Sequence, residues 1–163
     1  GLGDVYKRQI YTLLYTLPGI PSLYYGSEWG IEGQKQGGND GPLRPAVNLE
    51  EVLEAKKDSK ILKWVTWLGN MHREYKECLA YGRYRELLLT NRQYAFARFT
   101  EDECLVIAVN NDEQEVSVSV PVPRQDMNYV NLETKEEWKP ENGRLQIRLQ
   151  AAGSVVLGFK GKK

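Results

Sequence analysis

The spacing of apolar residues changes once along this chain, and the change divides it. From Arg85 onward the period shifts from about 3.6 to 2. Val116, Val118 and Val120 alternate with Ser117 and Ser119, and Leu145, Ile147 and Leu149 alternate with Gln146, Arg148 and Gln150. A period of two sends one set of side chains to a packed face and the other to water, as in antiparallel strands with one dry side. Tyr94 to Phe99 and Cys104 to Asn110 read as two more strands, divided by the acidic turn Thr100 to Glu103, and Ser154 to Phe159 as a closing strand. Asn142-Gly143 marks a tight hairpin between the Trp138 region and the strand after it. Short antiparallel strands at this spacing predict an antiparallel β-sandwich domain over residues 85–163.

The part before residue 85 reads differently. Ile10 to Leu17 is the tail of a helix stopped by Pro18-Gly19. Asn48 caps a short helix through Lys57, with Glu51 at the capping-box position, acids first and lysines last. Ser59 caps a longer helix, about Lys60 to Cys78. Its Ile61, Trp64, Val65, Leu68, Met71 and Tyr75 share one face and form a packing stripe rather than a cofactor box. His72 sits beside that stripe with no partner for base or ligand chemistry.

Between these helices, Ile20 to Tyr25 is a short apolar run flanked by Pro and Gly, the pattern of a buried strand. Tyr24 and Tyr25 are expected in the core with tethered hydroxyls. The run opens into a polar, Gly-rich loop that carries Glu28, Glu32, Asp40 and Arg44. Helix, tight turn, strand is the αβ half of a βαβ unit, and a parallel strand needs partners from other repeats. A buried strand that opens into a long polar loop is how α/β barrels place side chains for ligands. The plain alternative is a strand end followed by a solvated loop.

Several function classes find no support. Lys plus Arg and Asp plus Glu both number 22, so zero net charge implies no nucleic-acid partner. No apolar run approaches the ~20 residues of a membrane helix, so no membrane partner is expected. Cys78 and Cys104 are too few for a disulfide framework and read as free, partly buried thiols. The acids match no calcium loop, and no phosphate-cradling Gly motif or nucleophile–His pair is present. No cofactor and no metal are called for.

The residues of the loop carry a resemblance. Gly19-Ile-Pro-Ser-Leu-Tyr-Tyr-Gly-Ser-Glu-Trp-Gly30 resembles the eighth barrel strand of the α-amylase family of glycoside hydrolases, and Gly38-Asn-Asp-Gly-Pro-Leu-Arg44 resembles the loop that follows it. The family usually has Asn-Asp-Pro there; Gly41 separates Asp40 from Pro42 here, so the local turn is expected to differ. Trp64 to Arg85 is similar to the family's last barrel helix and its Leu-x-x-Gly connection, here Leu79-Ala-Tyr-Gly82. Tyr94-Ala-Phe-Ala-Arg98, Val106 to Asn110 and Gly153-Ser-Val-Val-Leu157 match landmarks of the β domain behind that barrel.

The resemblance implies an organisation and a chemistry. Residues 10–84 would be the C-terminal remnant of a (β/α)8 TIM barrel, its last strand and helices, and residues 85–163 the antiparallel β-sandwich. Family members hydrolyse or transfer α-linked glucosides with retention, using two carboxylates about 5–5.5 Å apart. Those carboxylates follow barrel strands that would precede this chain, so no catalytic residue is assigned and the chain alone is expected to be inactive. Asp40 and Arg44 match residues that contact sugars on the non-reducing side of the cut. A carboxylate accepts and a guanidinium donates paired hydrogen bonds to glucose hydroxyls, so the implied partner is an α-glucan or maltooligosaccharide substrate of the intact parent. An Asp40–Arg44 pair that merely pins the loop is the alternative. Glu28 is expected behind the site, holding loop backbone or a neighbouring strand. Trp29 either stacks on a sugar or packs under the loop, with packing the default. A non-enzymatic accessory or carbohydrate-binding β module is the competing reading.

The chain does not begin with Met, and Asp4-Val-Tyr-Lys-Arg-Gln9 resembles a translated sequencing adapter. Residues 1–9 are therefore set apart from the fold, as an artefact that a longer genomic reading frame is expected to lack.

Overall fold

The computed structural model describes residues 2–161. Its strands are β1 (Arg83–Leu89), β2 (Gln93–Phe99), β3 (Glu103–Asn110), β4 (Val116–Pro121), β5 (Tyr129–Asn131), β6 (Glu137–Trp138), β7 (Arg144–Leu149) and β8 (Ser154–Lys160). They form a large antiparallel sheet in the order β1-β2-β3-β8-β5-β6 and a β4–β7 ribbon. The strict alternation of β7 is realised: Leu145, Ile147 and Leu149 are buried, and Arg144, Gln146 and Arg148 are exposed.

The centre of the large sheet is packed on both faces, so β3 is buried almost throughout. On β3, Cys104, Val106 and Ala108 face the ribbon, packed with Val120, Leu145, Ile147 and Leu149. Leu105 and Ile107 face the other way, onto the helices. Those helices are α1 (Leu2–Thr16), α2 (Leu49–Lys56), α3 (Lys60–Glu74) and α4 (Lys76–Ala80). The expected α3 stripe packs as read: Ile61, Trp64, Val65, Leu68, Met71 and Tyr75 are all buried.

Local signals set the helix starts. The Asn48 side chain accepts from the backbone N–H groups of Glu50 and Glu51, and its Nδ2 donates to Glu51 Oε1 at 2.9 Å. Ser59 Oγ accepts from Leu62 N at 3.3 Å. The long helix does not run unbroken to Cys78; it stops at Tyr75 (φ −101°, ψ 31°) and restarts as α4. The Tyr75 ring lies against β8, where a Cβ on Gly158 would come within 3.1 Å of Tyr75 Oη. Packing of that ring against the sheet accompanies the break.

Several expectations are corrected. Ile20–Tyr25 forms no strand, and Ile20 is 93% exposed. A parallel strand has no ladder without neighbours, and the described residues supply none for it. Tyr24 and Tyr25 are accordingly about half exposed rather than core, although Tyr25 Oη donates to Pro45 O at 3.2 Å. The Asn142-Gly143 turn forms with both φ angles positive (51° and 75°), and Glu141 and Arg144 exchange backbone hydrogen bonds. It does not open a hairpin ladder, because β6 pairs with β5 in the large sheet and β7 with β4 in the ribbon. Both cysteines are free and buried outright.

Residues 2–9, set apart from the fold in the sequence reading, continue α1. Gln9 Nε2 donates to Asn110 O at 2.9 Å, and the Arg8 guanidinium lies 3.6 Å from the centre of the Trp64 ring.

Candidate functional site

The loop after α1 is shaped by glycines and short turns. Gly37 and Gly38 take positive φ (53° and 85°), and Gln36 and Asn39 bridge across them. Gly33 passes so close to the other limb that a Cβ would lie 2.3 Å from Pro42 O. Asn39 Oδ1 accepts from Gly41 N at 2.8 Å, and Gly41–Leu43 makes a single 3-10 turn. The inserted Gly41 therefore starts a turn between Asp40 and Arg44.

This folding brings Asp40 and Arg44 to one open cavity of about 490 Å³, with Tyr24, Tyr25, Glu32 and Lys35 also on its wall. Both of the expected contact residues are exposed there. Asp40 is ion-paired with Lys35 at 3.1 Å. Among the described residues no Asp40–Arg44 ion pair forms, so the pinning contact left open by the sequence is not made. Lys35 is the member of the cluster that sequence reasoning missed; a lysine in a polar loop carries no signal of its own. The Tyr24 and Tyr25 rings sit 4.9 Å apart at the cavity wall, and burial raises the Tyr25 phenol above its ordinary value.

Glu28 lies in the short helical turn Ser27–Trp29, half-buried. Its Oε2 and the Trp29 Nε1 are shielded from solvent without a hydrogen-bond partner. It does not line the Asp40 cavity. Its charge is felt by Tyr15, whose phenol is raised first by burial and then by Glu28. The described residues hold no cluster of His, Cys, Asp or Glu suited to a metal ion.

The fold is a two-sheet antiparallel domain with helices across one face, joined to a polar loop. Residues 84–156 match the family model described as Maltogenic Amylase, C-terminal domain. A cyclomaltodextrinase from Geobacillus thermopakistaniensis is 26% identical over 162 residues, which cover 97% of this chain and 26% of that protein. An Anoxybacillus α-amylase structure covers 97% of this chain and 32% of its own, at 25% identity and a TM-score of 0.78. The Geobacillus thermoleovorans α-amylase complexed with acarbose shares the fold, at TM-score 0.73 and 21% identity over 97% of this chain and 33% of its own. The chain is thus similar to the C-terminal part of cyclomaltodextrinases and α-amylases. It spans 26% of the length of the cyclomaltodextrinase relative.

Proposed function

We propose that this chain is the C-terminal part of an α-glucan-active glycosidase. In this reading residues 10–84 are the closing segment of a (β/α)8 barrel and residues 85–163 the β domain packed behind it. Asp40 and Arg44 bind glucose hydroxyls, and Glu28 supports the loop from behind. The reacting carboxylates belong to the preceding barrel strands, so the chain alone turns over no maltoside.

One observation carries the reading. Asp40, Arg44 and two tyrosines line a single cavity, and the run leading into it, Ile20–Tyr25, has no ladder and leaves Ile20, Tyr24 and Tyr25 exposed. Exposed apolar side chains on an unpaired segment suit docking against neighbouring strands. Next to that run in sequence, Glu28 Oε2 and Trp29 Nε1 are shielded from solvent and lack hydrogen-bond partners.

The test begins upstream. The genomic reading frame should extend toward the N-terminus, lack the Asp4–Gln9 hexapeptide, and encode both catalytic carboxylate motifs. The enzyme expressed from that frame should cleave maltooligosaccharides. Asp40→Ala in it should raise KM more than it lowers the melting temperature. An unchanged KM with a lowered melting temperature would reassign Asp40 to loop structure.

A further inference from the structure

The β4–β7 ribbon covers only part of the large sheet, and one corner of that face stays open. An open cavity of about 470 Å³ lies there, sharing no lining residue with the Asp40 cavity and lined by Tyr81, Arg83, Arg85, Phe99, Glu101 and Arg124 among others. From this geometry we propose that the corner binds a small phosphomonoester, with the guanidinium groups of Arg83, Arg85 and Arg124 holding the phosphate and Tyr81 walling its organic part.

The arrangement follows from strand chemistry. Arg83 and Arg85 are two apart on the edge strand β1, so they share a face. Arg83 stands opposite Phe99 and Arg85 opposite Ala97, which places that face on the ribbon side of the sheet. Arg85 Cζ lies 4.9 Å from the centre of the Phe99 ring, a cation–π contact that favours this position. Arg124 arrives from the loop after β4, 5.6 Å from the centre of the Phe159 ring. It is fixed at several points. Nη1 donates to Glu101 O at 2.8 Å, and Nε pairs with Asp126 at 3.3 Å. The buried Tyr129 hydroxyl clasps the Arg124 backbone, donating to its carbonyl at 3.0 Å and accepting from its N–H at 3.3 Å.

Charge selects the ligand. Among the described residues no carboxylate lies within ion-pairing distance of Arg83 or Arg85, while Asp126 offsets only Arg124 and Glu101 stands on the wall. The cavity is left with a positive excess and unused planar donors. Guanidinium forks match phosphate oxygens in pairs. A cavity of this size takes a small molecule rather than a protein segment. Tyr81 is 83% exposed and offers a free ring face at the rim.

The experiment titrates the full chain, followed by NMR or by tyrosine fluorescence, at fixed ionic strength. Inorganic phosphate and glucose 1-phosphate are the probes, with chloride as control. Both phosphates should bind saturably while chloride has no effect. Arg83→Gln and Arg85→Gln should each weaken binding at least tenfold. Arg148→Gln, an exposed arginine of the ribbon, should change nothing. Glucose 1-phosphate binding more tightly, with the excess lost in Tyr81→Ala, assigns the wall to the sugar; equal affinities assign the site to the phosphate group alone. Absence of saturable phosphate binding by a folded chain, or binding indifferent to Arg83 and Arg85, overturns the proposal. The outcome does not depend on the glycosidase reading.

Discussion

Arg98 is a charged side chain in the middle of a packed layer, and replacing it tests how helices and sheet are joined. It projects from β2 toward the helices and is 3% exposed. Nη1 donates to Thr16 O at 3.0 Å and Nη2 to Leu79 O at 2.9 Å. Thr16 ends α1 and Leu79 lies in the last turn of α4, so one cation ties the negative ends of two helices to the sheet. Arg98→Met keeps the stem volume and removes both bonds. Each charge-assisted bond contributes about 1.5–3 kcal/mol, and the carbonyls left behind lose their donor. The gain on the other side is relief from burying a guanidinium whose Nε already has no partner. The two bonds together contribute about 3–6 kcal/mol and that relief offsets about a third of it, so the net loss should be about 2–4 kcal/mol. With a urea slope of about 2 kcal/mol per molar, the midpoint should fall by about 1–2 M. Equilibrium urea unfolding followed by tryptophan fluorescence reads this directly. Amide exchange should accelerate first near residues 16–18 and 79–82. A variant as stable as the parent would refute the clamp and show that burial of the charge cancels its two bonds.

The remaining expectations are simpler. His72, the single histidine, titrates below the ordinary 6.5 because of burial first and the nearby Arg98 charge second. NMR titration of Arg98→Met should therefore raise its pKa part of the way back, leaving the burial share in place. Burial pushes both Cys78 and Cys104 thiols up to about 12. The unfolded chain releases those protons near pH 9 and the folded chain does not, so this contribution to stability is intact below pH 9 and lost as pH rises from there toward 12. Unfolding free energy measured against pH should fall in that window, less steeply in a Cys78→Ala, Cys104→Ala double variant. Leu68→Ala, at a fully buried site between α3 and the sheet, should cost about 2–5 kcal/mol in urea unfolding. Gly33→Ala forces apart the loop limbs at Pro42 and should weaken maltooligosaccharide binding by the intact parent, read as a KM increase, with little change in melting temperature.

Much of the β domain was legible because each strand carries its own answer: the alternation on β7 names its buried side chains without reference to anything distant. The helix caps Asn48 and Ser59 were legible for the same reason, since a cap is settled within a few residues. Asn110 was not. Its side chain is buried and bonds Gln93, Asp112, Gln114 and Gln150, partners from separate turns that no local pattern announces. The candidate site divides in the same way. The loop residues Asp40 and Arg44 stood out by resemblance to a motif, whereas the pairing of Asp40 with Lys35 depends on two limbs meeting at Gly33.

Local chemistry, then, settled where this chain turns, which faces of its strands stay dry and where its helices begin. The assembled molecule decided what meets across distance: a cation shared by two helix ends, a turn that links two sheets instead of closing one hairpin, and three arginines around one corner. Ile20–Tyr25 shows the boundary between the two. Its residues have the composition of a buried strand, yet hydrogen bonds to a neighbouring backbone make a strand, and no residue carries those within itself.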